Sequence, residues 1–328
     1  MINNTESICP PVLLIVFNRP DLASQVLKRI REIRPRELYI AGDAPRTEIA
    51  TDSKLCELTR NVITEVDWKC NLHTLFQEKN LGCKKGPEAA INWFFTQVDE
   101  GIILEEDCLP DISFFRYCAE LLEYYRNEER IMMIGGNNYQ FGRKRTRYSY
   151  YYSVFGHIWG WATWRRAWIH NDADLRTWPE VRGTQWIKRI MLSSAGAKQY
   201  THNLESVFTG DLETWDYVWS YSRWRKNGLS IVPKCNLVTN IGIDSRAIHT
   251  KRKNRITTLV AEEMPFPLKH PPRIVRNIKA DRFTINHLYL RYPLPEDVGW
   301  CKYVYMRIRN KLPSSIKSKV DRYLKPKQ

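Results

Sequence analysis

Short apolar runs alternate with amphipathic stretches through the first 135 residues, and no other feature limits the fold so tightly. "VLLIVFN" (12–18), "ELYIAGDAPR" (37–46), "NLHTLFQ" (71–77), "GIILEEDC" (101–108) and "RIMMIGG" (130–136) read as strands. Between them, residues 20–33, 47–66, 80–98 and 111–128 read as helices, with Pro20 and Asp21 marking the start of the first. This alternation implies a mostly parallel sheet with helices on both faces. Such sheets bind ligands beyond the carboxyl ends of their strands. Three of those ends are polar here: "NRP" (18–20), "GDAPR" (42–46) and the acids Glu105, Glu106 and Asp107.

After residue 137 the pattern changes. Residues 143–168 are aromatic and basic. Helical stretches follow at about 178–207 and 213–227, then two short strands, "LSIVP" (229–233) and "NLVTNIG" (236–242). Prolines and basic residues dominate from 251 onward. The expected organisation is one α/β domain in two halves, 1–136 and 137–255, followed by a peripheral basic tail, 256–328. A hydrophobic content of 43% supports a sizeable core, and most of the twelve Trp and seventeen Tyr suit that core.

A net charge of +15 fits nucleic acid, an anionic membrane surface or phosphorylated small molecules. No RNA- or DNA-reading motif occurs, so nucleic acid is not an expected partner. The eight cysteines form no CxxC pair and no zinc spacing, and read as reduced thiols of a cytoplasmic protein. GxGxxG, GxxxxGK[ST], GxSxG and HExxH are all absent, which removes the motif basis for dinucleotide, P-loop, serine-hydrolase and zincin chemistry.

Three acids directly behind an apolar strand invite a metal. Carboxylates at a strand's carboxyl end can hold Mn²⁺ or Mg²⁺ and leave open positions for a diphosphate. A transfer to a hydroxyl also needs a base. Asp216, in "TWDYVW", is a candidate; its plain alternative is an acid favouring a helix N-terminus. Asp211 is the rival base, and Glu213 can serve a helix cap. Lys84 and Lys85 can bring cations to a helix start. Trp159, Trp161, Trp164 and Trp168 can form a sugar platform, although the spacing of the last three assigns at least two to the core. Gly160 suits close backbone approach to a ligand, or a turn.

The order of these segments resembles GT-A-type nucleotide-sugar glycosyltransferases over about residues 10–255, nearest to N-acetylglucosaminyltransferase I and its bacterial relatives. The resemblance implies a Rossmann-like α/β fold with a helical and short-strand acceptor side. It also implies site roles. Arg19 matches an Arg that contacts the nucleotide, and Asp43 matches an Asp that holds the uracil. Glu105, Glu106 and Asp107 fall on the family's Glu-Asp-Asp motif, followed by a helix with two Phe; the last acid is the metal ligand. Glu106 is one methylene longer than the family's residue, at a position that contacts sugar or ribose. Residues 157–168, with Gly160 and Trp161, are similar to the segment lining the sugar pocket, and Asp216 falls on the general base. Residues 236–250 resemble a strand and loop that close over the diphosphate, with His249 near the phosphates or metal.

The implied reaction moves a sugar from a nucleotide diphosphate sugar, a UDP-sugar foremost, to a hydroxyl of a carbohydrate or lipid-linked acceptor. It is metal-dependent, inverting, and part of cell-surface polysaccharide or glycolipid synthesis. Nine basic residues against one acid after residue 301 suit a peripheral place on the inner face of the cytoplasmic membrane, or equally a solvated helix. Two other readings exist. A nucleotidyltransferase should carry a Gly-rich basic loop after the first strand, and "FNRPDLAS" has no Gly. A non-enzymatic basic scaffold accounts for the tail but not for three polar strand ends.

Overall fold

A computed structural model describes residues 9–243, 246 and 255–291, with isolated residues further on. Its first half alternates as the sequence does: β1 (Val12–Val16), α1 (Pro20–Ile33), β2 (Glu37–Gly42), α2 (Asp52–Arg60), β3 (Asn71–Phe76), α3 (Gly82–Gln97), β4 (Glu100–Glu105), β5 (Cys108–Pro110), α4 (Ile112–Tyr124) and β6 (Ile131–Gly135). The second half holds β7 (Tyr150–Ser153), β8 (Trp161–Trp164), α5 (Arg165–Trp168), α6 (Trp178–Val181), α7 (Trp186–Met191), α8 (Ser194–Thr209), α9 (Asp216–Arg225), β9 (Leu229–Pro233), β10 (Val238–Asn240) and α10 (Ile278–Thr284).

Eight strands form one sheet in the order β3-β2-β1-β4-β8-β6-β9-β7. β1 to β4, β6 and β9 run one way; β8 and β7 run against them. The sheet is therefore mixed but mostly parallel, as expected. β5 and β10 pair antiparallel in a small second sheet, Cys108 opposite Asn240.

Period-two side-chain alternation splits the core. Val12, Leu14, Val16, Ile102 and Leu104 face α1 and α4. Leu13, Ile103 and Trp161 face α3 and the tryptophans of α5 and α9. In α1, Leu22, Ala23, Val26, Leu27 and Ile30 are buried at helical spacing, Pro lies at the start, and Arg34 closes the helix in the left-handed conformation. Asp111 caps α4 by accepting from the Ser113 N–H. Each fully buried Leu, Val or Ile contributes about 1.5–3 kcal/mol.

The core assignment of at least two of Trp161, Trp164 and Trp168 holds: all three are buried, the first two on β8 and Trp168 on α5. Their three-and-four spacing arises because a strand passes directly into a helix. One expectation is corrected: residues 255–291 are not peripheral. Met264, Leu268, Ala280 and Ile285 are buried, and Arg276 bridges Tyr152 on the sheet edge. Asp281, fully buried, accepts from Arg276 Nε at 2.5 Å and from Ser153 Oγ at 2.5 Å. No helix among the described residues is long and apolar enough to cross a membrane.

Candidate functional site

The carboxyl ends of β1, β2 and β4 open into a cavity of about 910 Å³. Parallel strands leave unpaired backbone groups there, and the loops that follow supply the chemistry. β1 ends in Phe17, Asn18 and Arg19, with no Gly-rich loop before α1. β4 delivers Glu105, Glu106 and Asp107 beside them, because Ile15 pairs with Glu105.

The three acids have different surroundings. Glu106, 3% exposed, accepts from Arg19 Nε at 2.6 Å and from the Phe17 N–H at 2.6 Å. Both its oxygens are committed; burial raises its pKa, and Arg19 opposes the rise. Asp107 accepts from Arg19 Nη2 at 3.0 Å and faces the cavity. Its backbone carbonyl accepts from Ile241, which seats the chain after β10 against it. Glu105 Oε1 is sealed from solvent and has no hydrogen-bond partner. Burial first, then the Asp107 charge, push the Glu105 pKa up to about 8.

Asp43, at the end of β2, lines the cavity and is tied to the start of α3. Its oxygens accept from the backbone N–H groups of Ala44, Leu81 and Gly82 and from Asn80 Nδ2, at 2.8–3.1 Å. The carboxylate thus occupies the N-terminus of α3, where the helix dipole favours it. Lys84 and Lys85 do not line the cavity. Next to Asp43, Arg46 pairs with buried Asp52 at 2.5 Å and lies over the Phe17 ring.

Asp216 opens α9 and lines the same cavity, with Thr214 Oγ1 donating to it. Its charge is felt at Glu105. Asp211 is exposed, bonded to Thr209 and outside the cavity lining. Glu213 lines the cavity but does not cap α9.

Trp161 and Gly160 lie behind the site rather than in it. Trp161 is fully buried and packs at 5.8 Å on Trp215, the residue before Asp216. A Cβ on Gly160 would meet Val238 at 2.7 Å, and its φ of +72 suits glycine alone, so packing explains it. His249 falls outside the described residues.

Several lining residues escaped the sequence reading: Tyr139, Tyr200, Tyr217 and Tyr289; His157, which heads the 157–168 segment, lines the cavity with them. They come from distant segments, and no local pattern joins them. The Tyr139 and His157 rings lie 4.1 Å apart, tilted by 41°, beside Trp159. Burial, then Arg223, lower the His157 pKa to about 3, so its ring is neutral.

The fold and cavity together define a mixed α/β protein with a polar, acidic site at the strand ends. No family model and no curated protein matches the chain. Among solved structures, HddC from Yersinia pseudotuberculosis is similar over 48% of this chain and 77% of its own, at 8% identity and a TM-score of 0.30. UDP-glucose pyrophosphorylase complexed with UDP-glucose is similar over 45% of this chain and 63% of its own, at 13% identity and a TM-score of 0.25. This chain thus spans less than two thirds of the latter, and similarity this slight does not bear on function.

Proposed function

We propose that the chain is an inverting, metal-dependent glycosyltransferase of the GT-A kind, using a nucleotide diphosphate sugar, a UDP-sugar foremost. The observation that carries this reading is a single cavity lined by a cation-and-acid pair, Arg19–Asp107, and by a second carboxylate, Asp216, at a helix start.

The chemistry is one displacement. The acceptor oxygen bonds to the anomeric carbon as the bond from that carbon to the diphosphate oxygen breaks, and the electron pair leaves with the diphosphate. The acceptor proton passes to the Asp216 carboxylate. A positioned base of this kind is worth roughly 10²–10⁴ in rate. Arg19 meets the charge that develops on the leaving group.

A hard divalent cation fits the residues present. Glu105 Oε1 is an orphaned buried acceptor, and Asp107 and Asp216 concentrate negative charge around it. Asp107 would hold the ion, with Glu105 next to it. Bound there, Mn²⁺ or Mg²⁺ would neutralise the departing diphosphate. Among the described residues no three acidic, His or Cys side chains converge, so the diphosphate and water would complete the coordination.

The test is release of nucleoside diphosphate from a panel of UDP-, GDP- and CDP-sugars, with Mn²⁺ and with EDTA. Metal-dependent release from one nucleotide class supports the reading; no release from any donor contradicts it.

A further inference from the structure

One buried charge has no part in that chemistry. Arg223 is 0% exposed, and no carboxylate among the described residues pairs with it. Its guanidinium donates to Ser230 Oγ, to the Val154 carbonyl at 3.4 Å and to Ser220 Oγ at 3.3 Å. Its Nε is buried and unpartnered, and the Trp219 ring lies 5.7 Å away. A buried cation without a counter-anion is costly, and a protein normally pairs it.

The position of Arg223 is informative. Asp216, Ser220 and Arg223 follow one another at i, i+4 and i+7, one stripe of α9. Asp216 and Ser220 both line the cavity. Ser220 also hydrogen-bonds Tyr200, another lining residue. A chain of polar groups therefore leads from the buried guanidinium to the cavity wall. Gly156 and His157 close the same region, where Arg223 helps to keep His157 neutral. Arg291 adds a second cation at the cavity lining.

We propose that this end of the cavity is an anion subsite, in which a carboxylate or phosphate on the sugar acceptor bonds to Ser220 and Tyr200 with Arg223 as its buried counter-charge. Calling the ligand an acceptor rests on the transferase reading. Ser220 follows Asp216 by four residues, about 6 Å of helix, so the anionic group lies about one sugar substituent from the reacting hydroxyl at Asp216. It belongs to a substituent or to the next sugar. A ligand anion would supply the partner that Arg223 lacks, and a neutral sugar would not.

The experiment compares glucose, glucuronate and glucose 6-phosphate at matched ionic strength, by protein-observed NMR titration, with UDP and Mn²⁺ binding measured in parallel. At least one anionic sugar is expected to bind tenfold or more tightly than glucose. Ser220→Ala and Tyr200→Phe are expected to remove most of that preference while UDP still binds. Arg223→Met should remove it as well; because that residue is fully buried, the two milder variants keep the test decisive if it fails to fold. The glucuronate and glucose 6-phosphate arms separate a carboxylate from a phosphate. Anionic sugars that bind no better than glucose, or a preference that survives Ser220→Ala and Tyr200→Phe, would overturn the subsite. Failure of UDP to bind would instead strike the transferase reading and leave the sugar comparison standing.

Discussion

Arg19 Nη2 lies 3.0 Å from Asp107 Oδ2, so a guanidinium from the end of β1 neutralises the acid that follows β4. A cation arriving at Asp107 must share it with Arg19 or displace Arg19. The same guanidinium holds Glu106, which is buried and has few alternatives.

Arg19→Met is therefore expected to destabilise the fold by about 3 kcal/mol, because it strands a buried carboxylate. Urea unfolding of wild type and variant measures this. Glu106→Gln added to Arg19→Met should recover part of the loss. No loss in the single variant would mean that Glu106 finds another partner.

Gly242 touches both members of the pair. A Cβ there would collide with Asp107 Oδ2 and with Arg19 Nη1 at 2.5 Å. Gly242→Ala is expected to cost about 1–3 kcal/mol, the usual range for overpacking. It should also weaken Mn²⁺ and nucleotide binding, since the displaced atoms are those that would meet them. Calorimetric titration and thermal unfolding check the two effects separately.

Asp216→Asn removes the proposed base and leaves a side chain of the same shape. Turnover is expected to fall roughly 10²–10⁴-fold, with nucleotide affinity little changed. Asp211→Asn, outside the cavity, should leave turnover near wild type. Equal effects from both would remove Asp216 from the role.

His157 gives a pH signature. Burial, helped by Arg223, lowers its folded pKa from the ordinary histidine value of 6.5 to about 3. Between those values the unfolded chain binds the proton and the folded chain does not, so stability falls as pH drops below about 6.5. The His157 share of the loss from pH 7 to pH 5 is at most about 2 kcal/mol. His157→Gln should flatten the acid side of the stability curve by that amount; an unchanged slope would show that the ring protonates freely in the fold.

Most of the first half of the fold was legible because β1, β2, β4 and β6 are largely buried on both faces and read as apolar runs, whereas β3 lies more exposed at the sheet edge. α1 was found end to end, since Pro20 and a clean apolar stripe define it. β7 and β8 were not, because "YYYS" and "WATW" are only four residues long and mix aromatic with small or polar residues. Residues 255–291 looked like surface from their prolines and charges, yet Asp281 accepts from Ser153 Oγ and Arg276 donates to the Ile190 carbonyl, long-range contacts no local pattern reveals. In the site, the placement of Glu105, Glu106 and Asp107 at the cavity was legible because they sit at the carboxyl end of a strand in a mostly parallel sheet. The tyrosine wall was not, since tertiary packing alone gathers Tyr139, Tyr200 and Tyr289. Trp161 shows the opposite case: placed at the sugar pocket, it is fully buried behind the cavity and packs on Trp215.

Nucleotide binding with and without metal tests the central proposal most directly. Thermal unfolding would be followed with UDP, GDP and CDP, each with Mn²⁺ and with EDTA, for wild type and Asp107→Ala. One nucleoside diphosphate should raise the wild-type midpoint only with metal, by about 2.7 kcal/mol of stabilisation at a hundredfold excess over Kd, and Asp107→Ala should abolish the rise. No shift with any nucleotide, or a shift that survives both EDTA and Asp107→Ala, would contradict a metal–diphosphate seat at the end of β4.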